Sequence, residues 1–395
     1  MKQLPPFTLM KNVIQDYAWG STTSIEQLFD MPNPSQGPQA EIWMGAHPNG
    51  CSQIEIDGAL LNLDEVIKQD KVAILGQATT DTFNELPYLF KVLAAEKALS
   101  IQVHPSKQAA EIGFEKENQA GIDIKAANRN YKDPNHKPEL VYALTPYQAM
   151  NGFKAYPAII KPFENIGIAA LEAEVATFKA NQTQQGLTTF FEAILSLKGE
   201  RKASALNALM VHVEKNASCK IAGLILELSK QYPGDVGLFA PLMLHVVTLQ
   251  PGEAMFLDAC TPHAYIKGTG LEIMANSDNV LRAGLTPKYM DVPELIANTI
   301  CVPKPNDEIL MTPRVEGNAK HYSIPVADFN FSVYQGNSEI ECQSAEIIFA
   351  IDQDVILRHQ SGVELCISKG QSAFIPLSAA QYQVDTNGTF ARAYN

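Results

Sequence analysis

The sequence predicts a mainly β chain with a helical block in its middle, an α+β arrangement, and two changes in hydrophobic period point to it. From residue 1 to about 147, apolar and polar residues alternate in short runs broken by turns, as in Gln53-Ile-Glu-Ile ahead of the Asp57-Gly58 pair. Between about 157 and 237 the period becomes helical: Leu206, Leu209, Met210 and Val213 fall at i, i+3, i+4 and i+7, and Ile221, Leu224, Ile225 and Leu228 repeat the spacing. Strand-like text returns at Leu244-His-Val-Val-Thr-Leu, then in Phe329-Asn-Phe-Ser-Val-Tyr and Val363-Glu-Leu-Cys-Ile-Ser.

Each boundary has a local cause. Pro233-Gly234 closes the helical block, because proline cannot extend a helix and glycine tolerates the turn that leaves it. The polar, proline-stiffened Pro303-Lys-Pro-Asn-Asp sets off the last segment, which is expected to form a separate antiparallel sandwich. The helical block is expected either to interrupt or to follow the first sheet.

A chain of 395 residues, 46% hydrophobic and 18% charged, can bury a large core and fits two or three domains. Its 30 basic and 43 acidic residues give a net charge of −13, which repels nucleic acid and anionic membranes, so neither is an expected partner. An anionic substrate must therefore meet locally placed Lys or Arg. Six cysteines without a Cys-x-x-Cys pair read as reduced thiols serving as small core residues. The opening residues lack an apolar leader, and no stretch approaches the roughly 20 apolar residues of a membrane span, so a cytoplasmic protein is expected.

Three segments carry candidate chemistry. In Leu99-Ser-Ile-Gln-Val-His-Pro, apolar Leu99, Ile101 and Val103 alternate with Ser100, Gln102 and His104, which predicts a full strand on which Gln102 and His104 point the same way and can reach one atom. In Asn135-His-Lys-Pro-Glu-Leu, proline holds the backbone extended just before Glu139, whose apolar successors suggest burial; a buried carboxylate needs a partner such as a cation. Pro251 to Gly284 reads as strand, turn, strand, turn, strand, with Pro-Gly and Gly-Thr-Gly as the turns. Here His263 lies close in sequence to Tyr265, Glu272, Asp278 and Arg282. Read singly, these segments also suit a solvated strand face, an exposed glutamate and a structural histidine. Tyr17, Trp19 and Trp43 are read as core aromatics.

Taken with Tyr17-Ala-Trp-Gly, Glu41-Ile-Trp-Met-Gly-Ala-His-Pro, Phe90-Lys-Val-Leu and Ser277-Asp-Asn-Val-Leu-Arg-Ala-Gly-Leu-Thr-Pro-Lys, these segments resemble the type I mannose-6-phosphate isomerases, zinc enzymes of the cupin superfamily. The resemblance runs along essentially the whole chain. It implies that Gln102, His104, Glu139 and His263 bind one zinc ion per chain and that Arg282 sits at the reacting centre. It also implies a cupin-type jelly-roll catalytic domain (residues 1–153 and 238–303), a helical domain (154–237) and a second, C-terminal jelly roll (304–395). Lys369-Gly-Gln-Ser-Ala-Phe-Ile-Pro in the last domain has no neighbouring histidine, so that sheet is expected to be catalytically silent.

The ligand chemistry suits an isomerase. Two imidazoles, one carboxylate and one neutral amide leave zinc with a formal charge of about +1, a redox-inert Lewis acid. An aldose becomes a ketose when a proton moves from C2 to C1 through an enediol(ate), whose oxygen charge zinc and Arg282 would stabilise. Lys137, His136 and Asp278 are alternative bases; Lys137 is preferred because cations beside it would destabilise its ammonium, leaving His136 or Asp278 to assist ring opening. Ser100 and Lys91 are the expected phosphate donors, and Tyr265 and Glu272 are expected to border the pocket or orient His263. The expected substrate is a small phosphosugar, handled by a monomer. An iron-dependent cupin dioxygenase would not need Gln102, and a non-catalytic sugar-binding cupin would not need Lys137, Arg282 and all four ligands.

Overall fold

A computed structural model describes residues 4–395, so the first three residues of the expected 1–153 segment lie outside it. The strand His263–Ala275 is the axis of a ten-stranded sheet. Its first half pairs with Tyr147–Phe153, and at His263 with Gln102; its second half pairs with Tyr88–Ala95 on one edge and Glu139–Ala143 on the other. The expected turn at Gly-Thr-Gly is therefore not a turn. Gly268 has φ +127° and lies just after a register shift between Tyr265 and Lys267. A Cβ on Gly268 would stand 2.6 Å from the Pro146 carbonyl oxygen, and one on Gly270 2.7 Å from that of Tyr142. These glycines let neighbouring backbones approach a kinked strand; they do not reverse the chain.

The strand predicted over Leu99–His104 is shorter than expected, only Gln102–Val103. Around it the chain is held by single bonds, Leu99 N–H to Tyr265 O (2.8 Å) and Ile101 N–H to Gly284 O (2.9 Å), and by pairing of Gln102 with both His263 and Arg282. The predicted alternation survives: Ile101 and Val103 are buried. They share one apolar core with Ala264, Ile266, Leu281, Ala283 and the helical block, including Phe163, Phe190, Leu209 and Leu228.

That block comprises Tyr156–Ile166, Glu172–Ala180, Gln184–Leu195, Gly199–Lys215 and Lys220–Gln231. Leu206, Leu209 and Val213 are buried as their spacing predicts, as are Leu224, Ile225 and Leu228. The last helix stops at Gln231, and Gly234 turns away at φ +74°.

Helices in the first 153 residues were not predicted, the longest being Lys107–Gln119. Its buried positions are Ala110, Gly113 and Glu117, so no stripe of large apolar residues announces it; the Ser106 hydroxyl starts it by accepting from Ala109 N–H.

The last segment forms two antiparallel sheets, as expected of a second β domain, but the larger of them is not confined to it. Its nine-stranded sheet runs Arg314–Glu316, Ala319–Tyr322, Asn330–Gln335, Thr389–Tyr394, Glu346–Ala350, Ser372–Ile375 and then continues into Thr8–Lys11, Gln53–Ile56 and Ala59–Asn62. Asp57 and Gly58, at φ +52° and +79°, make the tight hairpin between the last two. A four-stranded sheet, containing Val355–His359 and Glu364–Ile367, forms a further layer. All six cysteines are free thiols, but Cys219 and Cys366 are exposed, against the expectation of core positions; Cys301 and Cys342 are buried. Among the described residues no helix is long and apolar enough to cross a membrane.

Glu346, fully buried, is held in this region by the Arg392 guanidinium (2.6 and 2.8 Å) and by the Tyr382 hydroxyl. Arg392→Ala is expected to lower stability by about 3–5 kcal/mol, because a buried carboxylate loses its counter-charge. Urea unfolding of the full chain measures this; a loss below about 1 kcal/mol would show that the pair is not needed.

Candidate active site

The sheet brings three distant side chains to one point. Glu139 begins the strand that pairs with His263–Ala275, and His104 follows the strand paired with His263. His104 Nε2 lies 3.2 Å from Glu139 Oε1 and His263 Nε2 3.4 Å from Oε2, and one ligand atom from each of the three lies within 4.8 Å of the others. All three are buried.

The second nitrogen of each imidazole fixes what the first can do. His104 Nδ1–H donates to the Asn279 carbonyl (2.7 Å) and His263 Nδ1–H to that of Thr261 (2.9 Å), so in both rings Nε2 carries the lone pair. His104 Nε2 is buried without a hydrogen bond. Two lone pairs thus face one carboxylate, an arrangement that repels unless a cation sits among them. Burial pushes the His104 imidazolium down to about 4, which keeps the ring neutral and ready to coordinate. Burial alone would raise the Glu139 carboxyl, but the Lys137 ammonium beside it holds it well below the ordinary carboxylate range. Tyr265 donates to Glu139 Oε2 at 2.9 Å, and Lys137 Nζ is 3.3 Å from Oε1. Gln102, paired in register with both His263 and Arg282, lines the adjoining cavity. A divalent cation with nitrogen and oxygen preferences fits this set.

Beside the cluster, and reaching it through Lys137, opens a cavity of about 950 Å³. Ser100, Gln102, Lys91, Lys137, Asp278 and Arg282 all line it. Asp278 is held by Asn49 Nδ2 (2.7 Å) and by the His47 imidazole (3.6 Å). Arg282 has no carboxylate partner among the described residues, and burial lowers its pKa. Lys132 and Lys288 also line the cavity without a carboxylate partner among the described residues. The Lys288 pKa is lowered by burial and then by Arg282 and Lys132, placing three uncompensated cations together.

Not every expected residue is available there. Lys91 is 2.8 Å from Glu272 and 3.6 Å from Glu41, and these two carboxylates raise its pKa despite burial. Its charge is neutralised before any phosphate arrives, and Glu272 is occupied in doing so. His136 turns away: its Nε2 bonds both oxygens of buried Asp328 at 3.0 Å, and it is absent from the cavity wall. Lys137 pairs with Glu139 and shares the cavity wall with Arg282, one of the cations expected beside it.

Sequence reasoning assigned no role to Asn279, Lys132 or Lys288. Asn279 accepts from His104 through its carbonyl while its side chain bonds Lys132 N–H (2.6 Å) and the carbonyls of Asp133 (2.7 Å) and Asn135 (2.8 Å). It ties a ligand histidine to the loop that carries Lys137. Asn279 and Lys288 both sit in the quoted Ser277 to Lys288 stretch, which was the available signal; for Lys132 there was none.

Comparison with known proteins gives concordant matches along the chain. Residues 7–156 match the family model for the phosphomannose isomerase type I catalytic domain, 167–244 that for its helical insertion domain, and 318–395 that for the mannose-6-phosphate isomerase cupin domain. The chain is 46% identical over 388 residues to mannose-6-phosphate isomerase of Salmonella typhimurium, covering 97% of this chain and 98% of that one. It is 35% identical over 394 residues to the Homo sapiens enzyme of that name, covering 92% and 89%. A solved structure described as mannose 6-phosphate isomerase from Salmonella typhimurium bound to substrate (f6p) and zinc has a TM-score of 0.94 and 45% identity. It covers 99% of this chain and 100% of that one.

Tyr265→Phe removes one hydrogen bond from the Glu139 carboxylate while keeping the ring. Metal affinity, measured by competition with a chromogenic chelator, is expected to fall by about 10- to 100-fold; unchanged affinity would show that the hydroxyl does not support the ligand.

Proposed function

The chain belongs to the type I phosphomannose isomerase family, and on that premise we propose that it interconverts mannose 6-phosphate and fructose 6-phosphate by proton transfer through an enediol(ate). The observation that carries this reading is the convergence of His104, Glu139 and His263, with both Nε2 lone pairs directed at one carboxylate, beside a cavity lined by uncompensated cations.

Gln102, His104, Glu139 and His263 would hold zinc, which supplies a Lewis acid able to polarise a sugar oxygen. The remaining roles fall to the chain's own side chains. Lys137, on the cavity wall and in contact with Glu139, takes the proton from C2 and returns it to C1. Arg282, paired in register with Gln102, offsets the negative charge that grows on the substrate oxygen. Asp278, steadied by Asn49 and His47, relays the proton that leaves the C1 hydroxyl for the ring oxygen as the sugar opens. Ser100, Lys132 and Lys288 receive the phosphate; Lys91 and Glu272 act as a neutralised pair in the wall.

In this reading residues 1–153 and 238–303 form the catalytic domain, 154–237 the helical domain and 304–395 the C-terminal domain. A monomer in a reducing compartment such as the cytoplasm is part of this reading, the compartment supported by six free thiols.

Purified protein incubated with mannose 6-phosphate is expected to yield fructose 6-phosphate in a coupled assay, with activity lost to a chelator and restored by zinc; no product in the zinc-loaded protein would refute the assignment. Lys137→Ala is expected to keep its zinc while kcat falls at least about 100-fold. Turnover near that of the unaltered enzyme would remove this lysine from proton transfer.

A further inference from the structure

We propose that Asp235, in the chain leaving the helical block, is a positioning residue that sets the loop carrying Lys288, and so tunes phosphate affinity from outside the cavity. This rests on the reading of Lys288 as a phosphate donor.

Asp235 follows the last long helix and is absent from the cavity wall. Its Oδ1 accepts from Gly237 N–H (2.6 Å) and from Leu285 N–H (2.7 Å), and its Oδ2 from Thr286 N–H (3.3 Å). The bond to Gly237 is an ordinary cap of the short turn Val236–Phe239. The other two cross to a different part of the chain and close on the segment between Arg282 and Lys288. Thr286 then passes the constraint on, its Oγ1 accepting from Lys288 N–H at 3.0 Å.

Two further features show that this segment is held from behind. Leu285 sits at φ +51°, in the left-handed region that a branched aliphatic residue adopts only when its surroundings require it. There is also no side-chain cushion between the two backbones: a Cβ on Gly237 would stand 2.6 Å from Leu285 N, and one on Gly284 2.6 Å from Gly237 Cα. A displacement of 235–237 therefore passes directly into 284–286. The same end of the helical block grips the other wall, since Gln231 Oε1 accepts from Ala98 N–H (2.9 Å) and Tyr232 O–H donates to Ala98 O (2.5 Å), two residues ahead of Ser100.

The test uses zinc-loaded, full-length Asp235→Ala, Asp235→Asn, Gly237→Ala and Lys288→Ala, with KM for mannose 6-phosphate, kcat, zinc content and the inhibition constant of inorganic phosphate measured for each. Asp235→Ala is expected to raise KM and the phosphate inhibition constant together by about tenfold, the scale of lost charge-assisted hydrogen bonds. Its kcat should stay within about threefold and its zinc content should not change, which separates altered binding from altered chemistry. Asp235→Asn, whose amide oxygen can replace Oδ1, should recover most of the affinity, and Gly237→Ala should shift both constants in the same direction as Asp235→Ala. Unchanged constants in Asp235→Ala overturn the proposal if Lys288→Ala raises them. They also overturn the phosphate reading if Lys288→Ala leaves them unchanged. Parallel loss of kcat and zinc at constant KM would mean a merely structural residue. Should Asp235→Ala not fold, Gly237→Ala decides by the same criteria.

Discussion

The site depends on one buried charge. Glu139 is 3% exposed, and a carboxylate so placed is costly unless its surroundings answer it. Lys137 and Tyr265 answer it directly, one by charge and one by a hydrogen bond. The two histidines do not, because their Nδ1 protons are committed to the Asn279 and Thr261 carbonyls and their Nε2 atoms bring only lone pairs. That mismatch is what makes the cluster a metal site and distinguishes it from a salt-bridged core. In a chain of net charge −13, the cations that line the neighbouring cavity give an anionic ligand a local attraction that the field of the whole chain does not.

Strand alternation distributes these duties. Gln102 faces the cavity while Ile101 and Val103 enter the apolar core; the core likewise receives Ala264 and Ile266 beside His263 and Tyr265, and Leu281 and Ala283 beside Arg282. The helices thus form a solid back wall to the very strands that carry the chemistry, joined to them by a shared core rich in phenylalanine. Rigid packing behind a polar face is what holds side chains to the tolerance that an active site needs.

Much of this was legible in the sequence, and the limits have physical causes. The polar alternation around Gln102 and His104, and proline ahead of Glu139, are local signals that survive into the fold. The state of Lys91 was not legible, because its neutralisation comes from Glu272 across a strand pair and from Glu41 on the other neighbouring strand. His136 sits next to Lys137 in the chain yet faces Asp328, almost two hundred residues on, since adjacent residues in extended backbone point apart. Gly268 and Gly270 looked like a turn because composition cannot tell a chain reversal from a close crossing of strands. Lys132 had no local signal and stands out only once the fold places it beside Arg282 and Lys288 without a carboxylate partner among the described residues.

The shared nine-stranded sheet gives segments more than three hundred residues apart a common fate. Thr8 finds its partner in Phe374, a separation of 366 residues, so during synthesis the first strand must wait for almost the entire chain before its edge is covered. The metal cluster, whose last ligand is His263, can in principle assemble long before that edge is closed. Until the strands of the last segment are made, the earlier part of this sheet presents an open, pairing-competent border, and those strands act as the clasp that closes it.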